Sequence, residues 1–171
     1  MQFLIFSDIH GDLSLLDELI EYYSPDRIFG LGDFEVSEIE LTMRNITGVR
    51  GNSLFDPDYM IDRMIDIDGM KILMTHGHTH GVRSSLLSLK LFAKERLCNM
   101  VFYGHTHIAH ISEVDNLVIA NPGSLTLPYS PSCPTCIIFE YNDSTVTLNL
   151  IDAVKKETIK KLIIDRNRWK N

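Results

Sequence analysis

The chain has 171 residues, 44% of them apolar and 23% charged, and its 16 basic and 23 acidic side chains give a net charge of −7. A chain of that length predicts a single domain, 1–171, able to bury a core without a disulfide or structural metal. The acidic balance argues against general nucleic-acid binding, no apolar run approaches a membrane span of about 18 residues, and three cysteines are too few for a disulfide scaffold.

An apolar run over 3–7 predicts a buried strand ending at Asp8. It carries no basic leader or cleavage site, so a strand is expected there rather than a signal peptide, and with it a cytoplasmic protein. Leu15, Leu16, Leu19, Ile20 and Tyr23 then follow helical spacing behind a capping Asp12, and Ser24-Pro25 stops the helix. Residues 27–31 predict a second strand leading to Gly32-Asp33, 37–44 a helix, and 47–50 a third strand leading to Gly51-Asn52. This alternation predicts a parallel sheet with helices on its faces.

Residues 64–67 and 70–75 flank Asp68-Gly69, a strong hairpin signal, and the second arm delivers His76. A helix is expected over 85–97 and a strand over 100–103, which delivers Gly104-His105. Residues 108–114 and 117–120 flank Asp115-Asn116, and 136–141 and 145–151 flank Asn142-Asp143-Ser144, giving two more hairpins. The segment 158–165 reads as a strand or a helix. The later hairpins suggest a second sheet stacked on the first, so the expected architecture is a two-sheet sandwich flanked by helices.

Every metal-type residue falls in a loop just after a strand, where open α/β sheets place their ligands. Asp8 and His10 share a tight turn with Gly11 and can point at one ion. Asp33 offers two carboxylate oxygens able to bridge two ions, and Asn52 a neutral carbonyl oxygen. His76, His105 and His107 offer imidazoles suited to Zn, Mn, Fe or Ni. Two divalent ions against Asp8 and Asp33 would leave the site at about +2, attractive to an anionic substrate despite the acidic chain.

The series Asp8-x-His10, Gly32-Asp33, Gly51-Asn52, Thr75-His76-Gly77 and Gly104-His105-x-His107 resembles the calcineurin-like metallophosphoesterase superfamily. The short length, His78 and Asn121-Pro122-Gly123-Ser124 resemble its small bacterial and archaeal phosphodiesterase branch, whose fold the retromer scaffold subunit shares. The resemblance implies an α/β, four-layer αββα sandwich of two mixed sheets. It implies two divalent ions, Mn²⁺ first, with Ni²⁺, Zn²⁺, Fe²⁺ and Mg²⁺ as alternatives. One ion would be held by Asp8, His10, Asp33 and His107, the other by Asp33, Asn52, His76 and His105, with Asp33 bridging. The implied activity is hydrolysis of P–O bonds in a small-molecule phosphodiester by a metal-bridging hydroxide. A catalytically weak or inactive protein-binding scaffold and a phosphomonoesterase are the alternatives, and homodimers or homotetramers are common in similar proteins.

Asn52, His76 and His78 are the candidate catalytic residues. The position after Asn52, often His or Cys in the family, is Ser53, a poor acid, so a proton donor has to come from elsewhere. His78 and His80 are the candidates to lend one, while His110 reads as structural. Glu35, Glu38 and Glu40 read as a solvated helix face, and Asn121 to Ser124 as a turn with a phosphate contact from Ser124 left open. Cys133-Pro134-Thr135-Cys136 lacks a second cysteine pair for zinc and reads as structural. From Lys155 onward seven Lys/Arg against two acids make a basic segment, read as a solvated face.

Overall fold

The structure is a computed structural model that describes residues 1–169. Two mixed sheets pack face to face. The first has the order β11-β10-β9-β1-β2-β3 and the second β4-β5-β6-β8-β7. Their strands are β1 (Gln2–Phe6), β2 (Arg27–Gly30), β3 (Ile46–Gly48), β4 (Asp62–Ile67), β5 (Met70–Thr75), β6 (Met100–Tyr103), β7 (His110–Val114), β8 (Leu117–Asn121), β9 (Thr135–Tyr141), β10 (Thr145–Asp152) and β11 (Glu157–Asp165). Helices α1 (Ser14–Tyr23) and α2 (Glu38–Met43) cover the outer face of the first sheet, and α3 (Leu87–Glu95) covers that of the second. The expected αββα sandwich is the observed one.

The layers follow from strand periodicity, because successive side chains point to opposite faces. Phe3 and Ile5 of β1 face the other sheet, joining Ile72, Met74, Met100, Phe102, Val118 and Ala120 in the central core. Leu4 and Phe6 face the helices, with Leu16, Leu19 and Leu41. In the second sheet Leu73, Val101 and Ile119 turn the other way, under Leu89 and Ala93 of α3. Strands buried on both faces read as continuous apolar runs, which is why β1 and β6 were visible as such. Truncating a core ring such as Phe102 to alanine costs about 3–5 kcal/mol.

The hairpin turns carry their expected chemistry. Asp68 and Gly69 have φ of 50° and 84°, and Asp115 and Asn116 have φ of 53° and 63°, the left-handed pairs that close two-residue hairpins. Three expectations shift. The strand expected from 108 begins at His110, because Ala109 N–H bonds instead to Ser130 O at 2.7 Å. The helix expected from 85 begins at Leu87, whose N–H is taken by Ser85 Oγ at 3.1 Å. The open reading of 158–165 resolves as a strand, edge-paired to β10.

The basic segment is less solvated than expected. Lys160 Nζ donates to Ile111 O at 2.8 Å, Arg166 donates to Asn142 O and Asp68 O, and Arg168 reaches Glu113 at 2.5 Å. These cations tie the two sheets together at one end. Lys170 lies outside the described residues. No helix among the described residues is long and apolar enough to cross a membrane.

Parallel pairing runs β1 to β2 to β3 in the first sheet and β5 to β6 in the second. The carboxyl ends of these strands meet on one side of the sandwich, and the metal-type residues follow them directly.

Candidate metal centre

Asp8 follows β1, Asp33 follows β2, Asn52 follows β3, His76 follows β5, and His105 and His107 follow β6. The ladder continues beyond the strands and holds their loops together. Asp8 N–H bonds to Gly32 O, His10 N–H to Asp33 O and Gly11 N–H to Phe34 O, at 3.1, 3.1 and 2.8 Å. Between the sheets, His105 N–H donates to Asp8 Oδ2 at 3.2 Å.

Left-handed backbone concentrates here. Asp8, His10, Asp33, His105 and His107 have φ of 55°, 41°, 50°, 68° and 57°. A side-chain-bearing residue pays about 1–3 kcal/mol for such a conformation, and it persists where surrounding contacts over-determine it. The backbone strain therefore falls on the very residues whose chemistry suggests ligands. Gly51 and Gly104 make the approach feasible. A Cβ on Gly51 would collide with the Asp33 carboxylate and amide, and one on Gly104 with the Ser7 hydroxyl.

The ligand atoms converge in two groups, Asp8 with His10 and His107, and Asp8 with Asp33 and His76, each within 4.8 Å of one another. Asp8 is fully buried, and its Oδ1 lies 3.1 Å from His107 Nε2 and 4.0 Å from Nε2 of both His10 and His76. That oxygen has no hydrogen-bond partner among the described residues. His76 Nε2 lies 3.4 Å from Asp33 Oδ2 and 3.2 Å from Asn52 Oδ1. His105 falls in neither group, but its ring centre is 5.1 Å from that of His76.

Asp33 was expected to be the shared carboxylate. Asp33 Oδ1 accepts the Ser53 N–H at 2.9 Å and its Oδ2 lies 3.4 Å from His76 Nε2, while Asp8 is a member of both groups. Three of the imidazoles are held by their far nitrogen. Nδ1 of His76 donates to Leu31 O and Nδ1 of His107 to Leu127 O, both at 2.7 Å, and Nδ1 of His10 pairs with Glu35 Oε1 at 2.9 Å. Such anchoring fixes the tautomer and leaves Nε2 as the free donor, the arrangement metal-ligating histidines almost always show. An unpartnered buried carboxylate oxygen ringed by three Nε2 atoms fits a divalent cation, and the N/O donor set suits a transition metal.

Sequence reasoning missed the residues that brace these donors. Asp56 is buried and accepts four backbone N–H groups. Gly51 and Asp33 bond to its Oδ2 at 2.7 and 2.8 Å, and Phe34 and Glu35 to its Oδ1 at 2.6 and 3.1 Å. Glu35 belongs to no helix face. It orients His10, and Glu40 serves the capping box of α2 with Ser37. Asn121 bonds through Nδ2 to Gly104 O and Thr106 Oγ1, fixing the His105 loop. Ser124 is buried and donates to Asp8 O at 2.7 Å, so it braces Asp8 rather than facing a phosphate.

The electrostatics are those of mutually dependent groups. Burial pushes the Asp33 carboxyl up, but His76, the Ser53 amide and His10 outweigh it and hold it well below the usual range. Burial alone would lower His76, yet the Asp33 and Asp8 carboxylates raise it. His107 is raised by Asp8. His105 is pushed down to about 4 by burial, by His76 and by Arg83.

The remaining histidines separate. His78 stands beside the centre, its ring 5.4 Å from that of His76 and 6.2 Å from that of His105. Burial and His76 hold its pKa below the ordinary value, and its buried Nδ1 has no hydrogen-bond partner among the described residues. His80 pairs with Asp62 Oδ1 at 3.0 Å and packs on Phe92, so it is not available as a donor to the site. His110 opens β7 and belongs to neither ligand group. Ser53 serves the turn, its N–H on Asp33 and its Oγ accepting from Phe55. Cys98, Cys133 and Cys136 are free thiols.

Comparison with known proteins identifies the family and the fold. The profile of the calcineurin-like phosphoesterase superfamily domain matches residues 1–144. The Methanocaldococcus jannaschii protein named phosphodiesterase MJ0936 is 28% identical over 178 aligned positions, covering 92% of this chain and 96% of that one. A predicted phosphoesterase from Streptococcus pneumoniae superposes with a TM-score of 0.85 at 24% identity, covering 96% of this chain and 97% of the other. Vacuolar protein sorting 29 of Cryptosporidium parvum superposes with a TM-score of 0.80 at 20% identity, over 96% and 98% of the two chains. At those identities the two superpositions speak to fold alone.

Proposed function

We propose that this chain, which belongs to the calcineurin-like phosphoesterase superfamily, is a phosphodiesterase that works with two divalent ions, Mn²⁺ first among them, on P–O bonds of a small-molecule diester. The observation that carries this reading is the convergence of two donor groups on the unpartnered Oδ1 of Asp8, with His10, His76 and His107 each anchored by Nδ1. When bound, two such ions supply an acidified water and a clamp for the phosphoryl oxygens.

The chain's own residues divide the remaining work. Asp8, His10 and His107 would hold one ion, and Asp8, Asp33, Asn52 and His76 the other, with His105 beside His76 completing that side. His105 is neutral near pH 7 and so has its lone pair ready. Ser53, whose Oγ accepts the Phe55 N–H in the turn, is an alcohol and too weak an acid to be the proton donor. His78 is assigned the protonation of the leaving oxygen. Its lowered pKa makes it a strong acid when charged but a scarce one above neutrality. The relative named a phosphodiesterase supports the preference for diesters over monoesters. We assign the protein to the cytoplasm, acting without a membrane or a nucleic-acid partner.

The fold likeness to vacuolar protein sorting 29 favours a second reading, a protein-binding scaffold. The test is turnover by metal-stripped protein with Mn²⁺, Ni²⁺, Zn²⁺ or Mg²⁺ returned, using bis- and mono-p-nitrophenyl phosphate. Metal-dependent cleavage that favours the diester and vanishes in His76→Ala supports the phosphodiesterase. A folded protein inactive with every metal supports the scaffold.

A further inference from the structure

On the His107 side of the centre lies a mainly apolar cavity of about 700 Å³ whose wall includes Arg83, Tyr103, Ile108, His110, Leu127 and Tyr129. Thr106 and His107 line it as well, so cavity and centre share a wall. The shared wall is fixed by hydrogen bonds. His107 Nδ1 donates to Leu127 O at 2.7 Å, and Tyr129 N–H donates to His107 O at 3.0 Å. A volume of that order falls within the 300–1,000 Å³ range of small-molecule sites and exceeds what a phosphoryl group alone fills.

We propose that this cavity receives a planar aromatic group carried by the phosphodiester, so that aryl or nucleoside diesters are the substrates of this enzyme. The proposal rests on the phosphodiesterase reading above for what the aromatic group is attached to. The Tyr129 ring, with the His110 ring and the aliphatic side chains of Ile108 and Leu127, offers stacking and dispersion. Leu127 and Tyr129 are 56% and 77% exposed, so the chain leaves these two apolar side chains largely unpacked. Polar anchors are sparse, as expected of such a site. Arg83 Nη2 reaches His105 O at 3.5 Å, placing a guanidinium beside the loop that carries His105 and His107.

The test reads binding rather than turnover. Calorimetry on the Mn²⁺-loaded protein would compare AMP, phenyl phosphate, ribose 5-phosphate and inorganic phosphate, in the parent chain and in Tyr129→Ala and Tyr129→Phe. Ring-bearing phosphates should bind about tenfold more tightly than ribose 5-phosphate, the scale of one stacked base. Tyr129→Ala should shrink that advantage to about threefold or less and Tyr129→Phe should keep it, because the ring does the stacking. An advantage for AMP without one for phenyl phosphate supports the proposal and narrows the class to nucleosides; the reverse narrows it to aryl groups. Ribose 5-phosphate binding as tightly as AMP overturns the proposal, as does Tyr129→Ala weakening inorganic phosphate as much as AMP. A ring preference that depends on Tyr129 in a protein that cleaves no diester would leave the cavity assignment standing and overturn the catalytic reading.

Discussion

The Asp56 carboxylate accepts the backbone N–H of Asp33 at 2.8 Å, and with its remaining lone pairs takes the N–H groups of Gly51, Phe34 and Glu35. One side chain thereby locks the two loops that deliver Asp33 and Asn52, although it touches neither donor atom. Losing it leaves three buried amides and one partly buried amide without an acceptor, each buried one costing about 1–3 kcal/mol if water cannot replace it. Asp56→Ala should therefore lower unfolding stability by at least about 3 kcal/mol, read as a reduced urea midpoint. Where the variant still folds, its metal affinity should fall too. An unchanged midpoint would remove Asp56 from the framework.

Gly51→Ala is a sharper probe of packing. The added methyl would occupy the space of the Asp33 carboxylate and amide, which have no flexible end to move aside. Weakened metal binding is expected, with a destabilisation of about 1–3 kcal/mol from overpacking. Gly69→Ala, with nothing within 4 Å of the new atom, is the control for a left-handed glycine whose loss leaves the centre alone. Equal metal affinity in the two variants would contradict the close approach.

The pH dependence of the metal-stripped protein follows from His76 and His107, both raised by neighbouring carboxylates. A histidine whose folded pKa is raised stabilises the fold fully below its unfolded value, about 6.5, and that contribution is lost as pH rises through the folded value. His105, pushed down to about 4, acts in the opposite sense but only below its unfolded value. Between pH 7 and 8 the raised pair governs, so the melting temperature without metal should fall over that interval. Adding Mn²⁺ should reverse the slope, because the ion competes with protons for the same nitrogens. A metal-free melting temperature that rises from pH 7 to 8 would contradict the assigned couplings.

The two sheets, both tight hairpins and the run of donors at strand ends were legible because each rests on local pattern: short continuous apolar runs, left-handed turn residues, and Asp or His closely after a strand. What was not legible depends on contacts between distant segments. Glu35 lies just before the Ser37–Glu40 capping pattern and so read as helix face, yet its partner is His10, 25 residues away. Asp56 accepts backbone amides, which leave no mark in side-chain identity. Ser124 looked like a turn residue facing substrate, but the fold brings it under the Asp8 carbonyl.

His78 should act as a proton donor in a pH-dependent way. With its pKa held below the ordinary histidine value, its charged fraction shrinks across the neutral range. His78→Ala should cost about 10²-fold in diester cleavage at acid pH, the low end for general-acid help, and much less at pH 8 or with p-nitrophenolate-type leaving groups. A uniform loss at every pH would instead mark a structural role.

The most direct measurement is the number of Mn²⁺ ions bound per chain at saturation, read by calorimetry alongside elemental analysis, in the parent protein and in His10→Ala and His76→Ala. Two donor groups meeting at Asp8 predict two ions per parent chain, with one lost and the other kept in each variant. A single ion in the parent, or both ions surviving in either variant, would contradict a dinuclear centre built from these residues.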